Sequence, residues 1–180
     1  LFDYDNDGFV DIFVANGNAH HEFTEEDSLL RNSGDGDFID VSAQSGDYFR
    51  TKHVGRGATC GDYDNDGDLD LLIVNLNSEA ILLRNDGGSR NNWITVEAKL
   101  PGPERDAIGA RVTVRAGALS QIQDLVPVRG YMSQLDSRLH FGLGKADRVD
   151  AVEIRWPNGE TEKLENIPAN QVLKVVYEVR

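Results

Sequence analysis

The chain has 180 residues, 39% of them hydrophobic, enough to fill the core of one ordinary domain or of two small ones. Asp and Glu outnumber Lys and Arg 31 to 18, giving a formal charge of -13 and a pI near 4.6, which argues against nucleic acid and anionic membrane surfaces as partners. No apolar run approaches the ~20 residues of a membrane span, no basic-then-apolar leader opens the chain, and the single cysteine, Cys60, excludes an internal disulfide and a cysteine-built zinc site.

The first element is "LFDYDNDGFVDIFVAN", in which Asp3, Asp5, Asp7, Gly8 and Asp11 spell D-x-D-x-D-G-x-x-D. Carboxylates at positions 1, 3 and 5 of a tight loop converge on one point, glycine at position 6 permits the sharp turn, and position 7 offers its backbone carbonyl. Only a hard cation such as Ca²⁺ rewards so many hard oxygens, since the repulsion among four carboxylates would otherwise open the loop. An EF-hand shares the opening but needs a bidentate Glu at position 12, where this loop has Val14, and helices on both sides. Here the fourth acid falls at position 9, and "DIFVAN" after it reads as a buried strand. The spacing predicts a strand-loop-strand cation site.

An insertion, "GNAHHEFTEEDS" (17–28), reads as a solvated loop, where His20, His21 and Glu22 are poor metal ligands because neighbouring histidines point apart on extended chain. "LLRN" (29–32) follows, and then, 59 residues after the first loop, the pattern returns as Asp62, Asp64, Asp66, Gly67 and Asp70, with Asp68 adding a fifth acid. Position 12 is now Ile73, "DLLIVN" again reads as a buried strand, and "LLRN" recurs at 82–85. Nine of the 31 acids sit in the two loops, leaving 22 acids against 18 bases elsewhere. A period near 60 residues with several short strands per unit and Gly, Asn and Asp at the turns predicts β-propeller blades. In the second copy "HVGRGATCGDYD", "DLDLLIVN" and "AILLRN" are three successive strands. Propellers close with 4 to 8 blades, so residues 1–91 are expected to be about one and a half blades of a longer parent, with Asp3 a weaker ligand near the start.

From about Asn92 strict alternation takes over. It places Val112 with Val114, Val152 with Ile154 and Trp156, and Leu173 with Val175, Tyr177 and Val179 on single faces. Strands are predicted near 93–100, 109–116, 121–129, 137–142, 149–156, 160–165 and 171–179, with "WPNG" as a turn having Gly159 at i+3. Residues 92–180 are therefore expected to form a β-sandwich or small barrel, and the fold class of the chain is all-β.

With these motifs in view, residues 1–91 resemble FG-GAP/VCBS repeats, the integrin-α-type propeller units. Residues 92–180 resemble the ASPIC/UnbV domain that ends bacterial VCBS-repeat proteins and animal cartilage acidic proteins, through "NNWITVEAKL", "AIGARVTVRAG", "GYMSQLDSRLHFGLG" and "VEIRWPNG". The resemblance implies calcium ligands at Asp3, Asp5, Asp7, Asp11 and at Asp62, Asp64, Asp66, Asp70, with the carbonyls of Phe9 and Asp68 as further ligands, for one or two Ca²⁺ ions. It also implies an extracellular, cell-surface or periplasmic location. Cys60 stands where such repeats more often carry an aromatic, which marks it as a packed residue.

No Ser-His-Asp or Cys-His pairing is legible, and aspartates committed to a metal make poor general acids or bases, so catalysis is not expected. His53 and His140 read as structural, and Tyr131 and Gln134 as loop residues with a lesser case for a ligand surface. The expected role is structural, adhesive or ligand-binding, toward a protein or a carbohydrate, and the open blade edge offers a route to self-association. The runner-up is an accessory region of an extracellular, carbohydrate-active enzyme whose active site lies upstream. A calcium sensor is the third reading, disfavoured by the rigid strand setting and the lack of flanking helices.

Overall fold

The computed structural model describes residues 1–18, 23–87, 90–103, 105–130 and 133–178, and it is all-β. His20, His21, Glu22, Tyr131 and Val179 lie outside the described residues. The chain folds as two compact units. The first comprises Leu1–Tyr4, Phe9–Gly88 and Val128–Leu135, and the second Asp5–Gly8, Ser89–Pro127 and Asp136–Arg180.

In the first unit, β1 (Ile12–Val14), β2 (Glu25–Glu26), β3 (Ser28–Asn32), β4 (Phe38–Asp40), β5 (Lys52–His53), β6 (Gly55–Gly61), β7 (Asp70–Asn75) and β8 (Ile81–Leu83) follow in chain order. β1, β3 and β4 form one antiparallel sheet and β6, β7 and β8 another. The two meanders are the two sequence repeats: β1 and β7 each leave an acidic loop, and β3 and β8 carry or precede "LLRN". Phe2, Leu29, Phe49, Leu71 and Ile73 form the core of this unit, with Cys60 packed at its edge as expected.

Two expectations need correction. "DLLIVN" is buried on one face only, because Leu71 and Ile73 point into the core while Leu72 and Val74, on the opposite face of the pleat, are exposed. The insertion is not merely solvated loop either. β2 pairs with β5, and the buried Asp27 accepts from the Asn16 N–H at 2.8 Å and from the Tyr48 hydroxyl. The Tyr48 ring stacks on His53 at 5.1 Å, giving that histidine the structural place expected for it.

In the second unit, β9 (Asn92–Leu100), β10 (Arg105–Asp106), β11 (Arg111–Ala116) and β12 (Leu119–Asp124) lead, after the short hairpin β13 (Val128–Gly130) and β14 (Ser133–Gln134) of the first unit, to β15 (Leu139–Gly144), β16 (Arg148–Arg155), β17 (Thr161–Pro168) and β18 (Gln171–Val176). β9 is the hub of one sheet, antiparallel to β10 and β15 and parallel to β18, and the other sheet runs β12-β11-β16-β17. Both sheets feed one core, through Ile94, Val96, Phe141, Leu143 and Val175 from the first and Val112, Val114, Val152 and Ile154 from the second. This is a sandwich, and neither sheet closes into a barrel.

Alternation placed these residues correctly, Trp156 included. The Trp156 turn closes through Gly159 N–H to the Trp156 carbonyl at 2.9 Å, with Gly159 at φ 91. The strand expected over 121–129 stops at Asp124, because Leu125 turns inward to bond Ala110 and Gly109, and Pro127 has no N–H with which to extend a ladder.

Candidate metal centre

The two acidic loops adopt the same backbone. Asn6 and Asn65, at position 4, have φ of 55 and 60, and Gly8 and Gly67, at position 6, have φ of 94 and 95. Asparagine tolerates the left-handed region and glycine occupies it without strain, so each "DNDG" is the sequence its turn requires. In the second loop both oxygens of Asp62 turn inward to the loop's own amides, with Oδ1 accepting from Asp66 N–H and Oδ2 from Gly67 N–H, each at 3.1 Å. Asp66 Oδ1 accepts from Asp68 N–H at 2.9 Å and tightens the turn.

Position 9 is a clamp in both copies. Asp11 Oδ2 accepts from Tyr4 N–H at 3.0 Å and Oδ1 from Asn32 N–H at 2.7 Å. Asp70 repeats this with Tyr63 at 3.1 Å and Asn85 at 2.8 Å. Asn32 and Asn85 end the two "LLRN" motifs, and their side-chain amides also donate to the position-8 carbonyls of Val10 and Leu69. They are the site-building residues that the motif reading missed, and the signal was the recurrence of "LLRN" itself at the same distance from each loop.

Carboxylate oxygens of Asp3, Asp5 and Asp11 lie within 4.8 Å of one another, and those of Asp62, Asp64 and Asp70 do likewise. Positions 1, 3 and 9 thus converge in each loop, while Asp7 and Asp66, at position 5, fall outside these trios. The start of the chain is pinned, since Phe2 and Asp11 exchange backbone hydrogen bonds of 3.2 and 2.8 Å and hold Asp3 in place.

Position 7 differs. Phe9 lays its ring against Gly34, and Asp68, buried at the matching place, faces Gly87. The Asp68 carboxyl is pushed up to about 6 by burial first and by the charge of Asp66 second. Burial also raises Asp62 and Asp70, each with added repulsion from neighbouring aspartates. Carboxylates so crowded favour a proton or a metal ion, and a donor set made only of carboxylate oxygens fits a hard cation. These clusters can hold a metal ion.

Comparison with known protein families matches the chain in two places. Residues 3–73 match the model of the FG-GAP-like repeat, and residues 100–180 match that of ASPIC and UnbV. Along the chain, the FG-GAP-like match thus precedes the ASPIC and UnbV match. It is 30% identical to human cartilage acidic protein 1 over 97% of its own length and 27% of the relative's. It is 29% identical to the mouse protein of that name and 28% identical to that of Xenopus tropicalis, again over 97% of this chain and 28% of each relative. The chain thus spans a little over a quarter of the length of these relatives. Among the described residues no helix is long and apolar enough to cross a membrane.

Proposed function

We propose that the FG-GAP-like loops are calcium sites that brace an extracellular or cell-surface β module, whose role is to bind a protein or carbohydrate partner rather than to catalyse a reaction. Asp3, Asp5 and Asp11 hold one ion and Asp62, Asp64 and Asp70 the other. Asp7, Asp66 and the carbonyls of Phe9 and Asp68 complete the shells. The observation that carries the reading is the repetition, 59 residues apart, of one loop conformation in which the same three carboxylate positions converge within 4.8 Å. An acidic turn without a ligand has no reason to repeat a geometry that opposes its own electrostatics.

When bound, the ion neutralises each trio and locks the loop to the strand that leaves it. Sites of this kind in extracellular modules bind at about 10⁻⁴ to 10⁻³ M, which suits a calcium-rich exterior and not cytosolic signalling. Binding to the folded state alone raises the melting temperature by mass action, adding about 0.4 to 1.4 kcal/mol of stability per site at one to ten times Kd. Thermal unfolding in millimolar Ca²⁺, in Mg²⁺ and in EDTA tests this. Selective stabilisation by Ca²⁺ that shrinks in Asp64→Ala is the expected result. Identical melting in all three solutions contradicts the proposal.

A further inference from the structure

Residues Asp5–Gly8 of the first loop belong to the second compact unit, and strands of that unit hold them. β15 divides its side chains between two faces. Leu139, Phe141 and Leu143 enter the sandwich core, which leaves His140, Gly142 and Gly144 on the opposite face. The acidic loop lies there. Asn6, only 1% exposed, has its main-chain carbonyl bonded by Gly144 N–H at 2.9 Å and its side-chain Oδ1 2.6 Å from His140 Nε2. The Asp5 carbonyl accepts from Asn91 Nδ2 at 3.0 Å. Space is tight: a Cβ on Gly144 would stand 3.6 Å from the Asp7 carbonyl, and one on Gly8 would stand 3.0 Å from Leu119 Cδ1 and 3.4 Å from the Gly142 carbonyl.

His140 is itself fixed from behind. It is the cross-strand partner of Thr95 on β9, its Nδ1 lies 3.0 Å from Thr95 Oγ1, and its ring stacks on Trp93 with centroids 5.8 Å apart. Asn6 Oδ1 can only accept, so Nε2 carries the hydrogen, and Nδ1 of the neutral ring accepts from the Thr95 hydroxyl. A continuous chain of contacts thus runs from β9 through His140 to Asn6, which stands between Asp5 and Asp7. In the second loop the matching Asn65 has nearly the same φ, 60 against 55, yet is exposed.

We propose that His140 is a positioning residue for the first acidic loop: it fixes Asn6, through Asn6 it holds Asp5 in the ion-binding arrangement, and the calcium affinity of this loop alone depends on it. The proposal rests on the calcium reading of the loops. By reciprocity, an ion in the first loop steadies Asn6 and His140 and alters the environment of Trp93.

The test uses the full chain with the second loop disabled by Asp64→Asn, so that calcium titrated by calorimetry reports the first loop. In that background His140→Leu, which keeps bulk but removes both ring nitrogens, weakens calcium about tenfold, the lower end of the loss caused by removing an outer-shell partner. His140→Gln, whose amide can donate to Asn6, restores most of the affinity. Should His140→Leu fail to fold, Asn6→Gly decides, because glycine suits the left-handed backbone and removes only the acceptor; it shows the same loss. Asn65→Gly in an Asp5→Asn background leaves the second loop's affinity unchanged. Trp93 emission responds to calcium in Asp64→Asn and not in Asp5→Asn. Unaltered calcium affinity in both His140→Leu and Asn6→Gly, or equal losses in the two loops, overturns the proposal and leaves the calcium reading standing. No calcium heat in either the Asp64→Asn or the Asp5→Asn background overturns the calcium reading, and this proposal with it.

Discussion

The two acidic loops are near-copies in sequence and in backbone, yet they sit in different surroundings. In the first, Asn6 is buried and Asp5 and Asp7 are half-buried; in the second, Asn65, Asp64 and Asp66 are exposed. Position 7 reverses the contrast, with Phe9 exposed and Asp68 buried. What stays the same is the local frame: the left-handed asparagine and glycine, the three converging carboxylates, and the position-9 clamp on the "LLRN" asparagine. The cage is therefore encoded by nine residues and one strand partner, while the packing around it is supplied by whatever the rest of the chain brings there.

The sharpest way to break that shared frame is to cut the clamp. Asp11→Ala and Asp70→Ala each leave two backbone N–H groups, those of Tyr4 and Asn32 or of Tyr63 and Asn85, without their acceptor. Each substitution is expected to cost about 2 to 4 kcal/mol in urea unfolding, and to do so in EDTA as well as in calcium. If the loss vanishes in EDTA for both, position 9 serves only the ion and the frame is not common structure.

The buried surroundings of the first loop predict a pH dependence. Burial, reinforced by the charge of Arg138, pulls the His140 pKa down from 6.5 to about 4. A histidine whose pKa is lower folded than unfolded contributes stability that is present above pH 6.5 and is lost as the pH falls toward 4. The loss amounts to roughly 3 kcal/mol at about 1.4 kcal/mol per pH unit. Because the carboxylates Asp62, Asp68 and Asp70 have raised values and titrate with the opposite sign, the comparison is made against His140→Gln, relative to which the parent should lose stability steadily as the pH falls from 6.5 to 4. Parallel profiles for the two proteins would refute it.

A smaller effect separates the position-7 neighbours. Gly34 and Gly87 both have positive φ, 82 and 73, so alanine at either place costs about 1 kcal/mol through the backbone alone. A Cβ on Gly34 would also stand 2.7 Å from the Phe9 ring, whereas on Gly87 it would meet Asp68 Oδ2 at an ordinary 3.7 Å. Gly34→Ala is therefore the more destabilising of the two in thermal melts, and adding Phe9→Ala should close the gap. An equal cost for both would mean that the Phe9 ring moves aside freely.

Much of this was legible in the sequence because it is local or periodic. The D-x-D-x-D-G-x-x-D spacing gave the loops, and alternation in "ARVTVRAG" and "VDAVEIRWPNG" gave both the strands and their buried faces. Contacts across long stretches of chain were not legible. The tie between His140 and Asn6 spans 134 residues and exists only because β15 pairs with β9, and nothing near either residue announces it. Likewise Asp27 reads as one more acid in a polar insertion, and only the fold reveals it buried beneath Tyr48. Leu72 and Val74 misled because an apolar run does not say how many of its faces are covered.

The most direct test of the central claim is a calorimetric count of calcium ions on the chain and on its Asp5→Asn and Asp64→Asn variants. Two ions on the parent and one on each variant, with Mg²⁺ unable to compete at equal concentration, is the predicted result. An unchanged count in both variants, or no calcium bound by the parent, would contradict it.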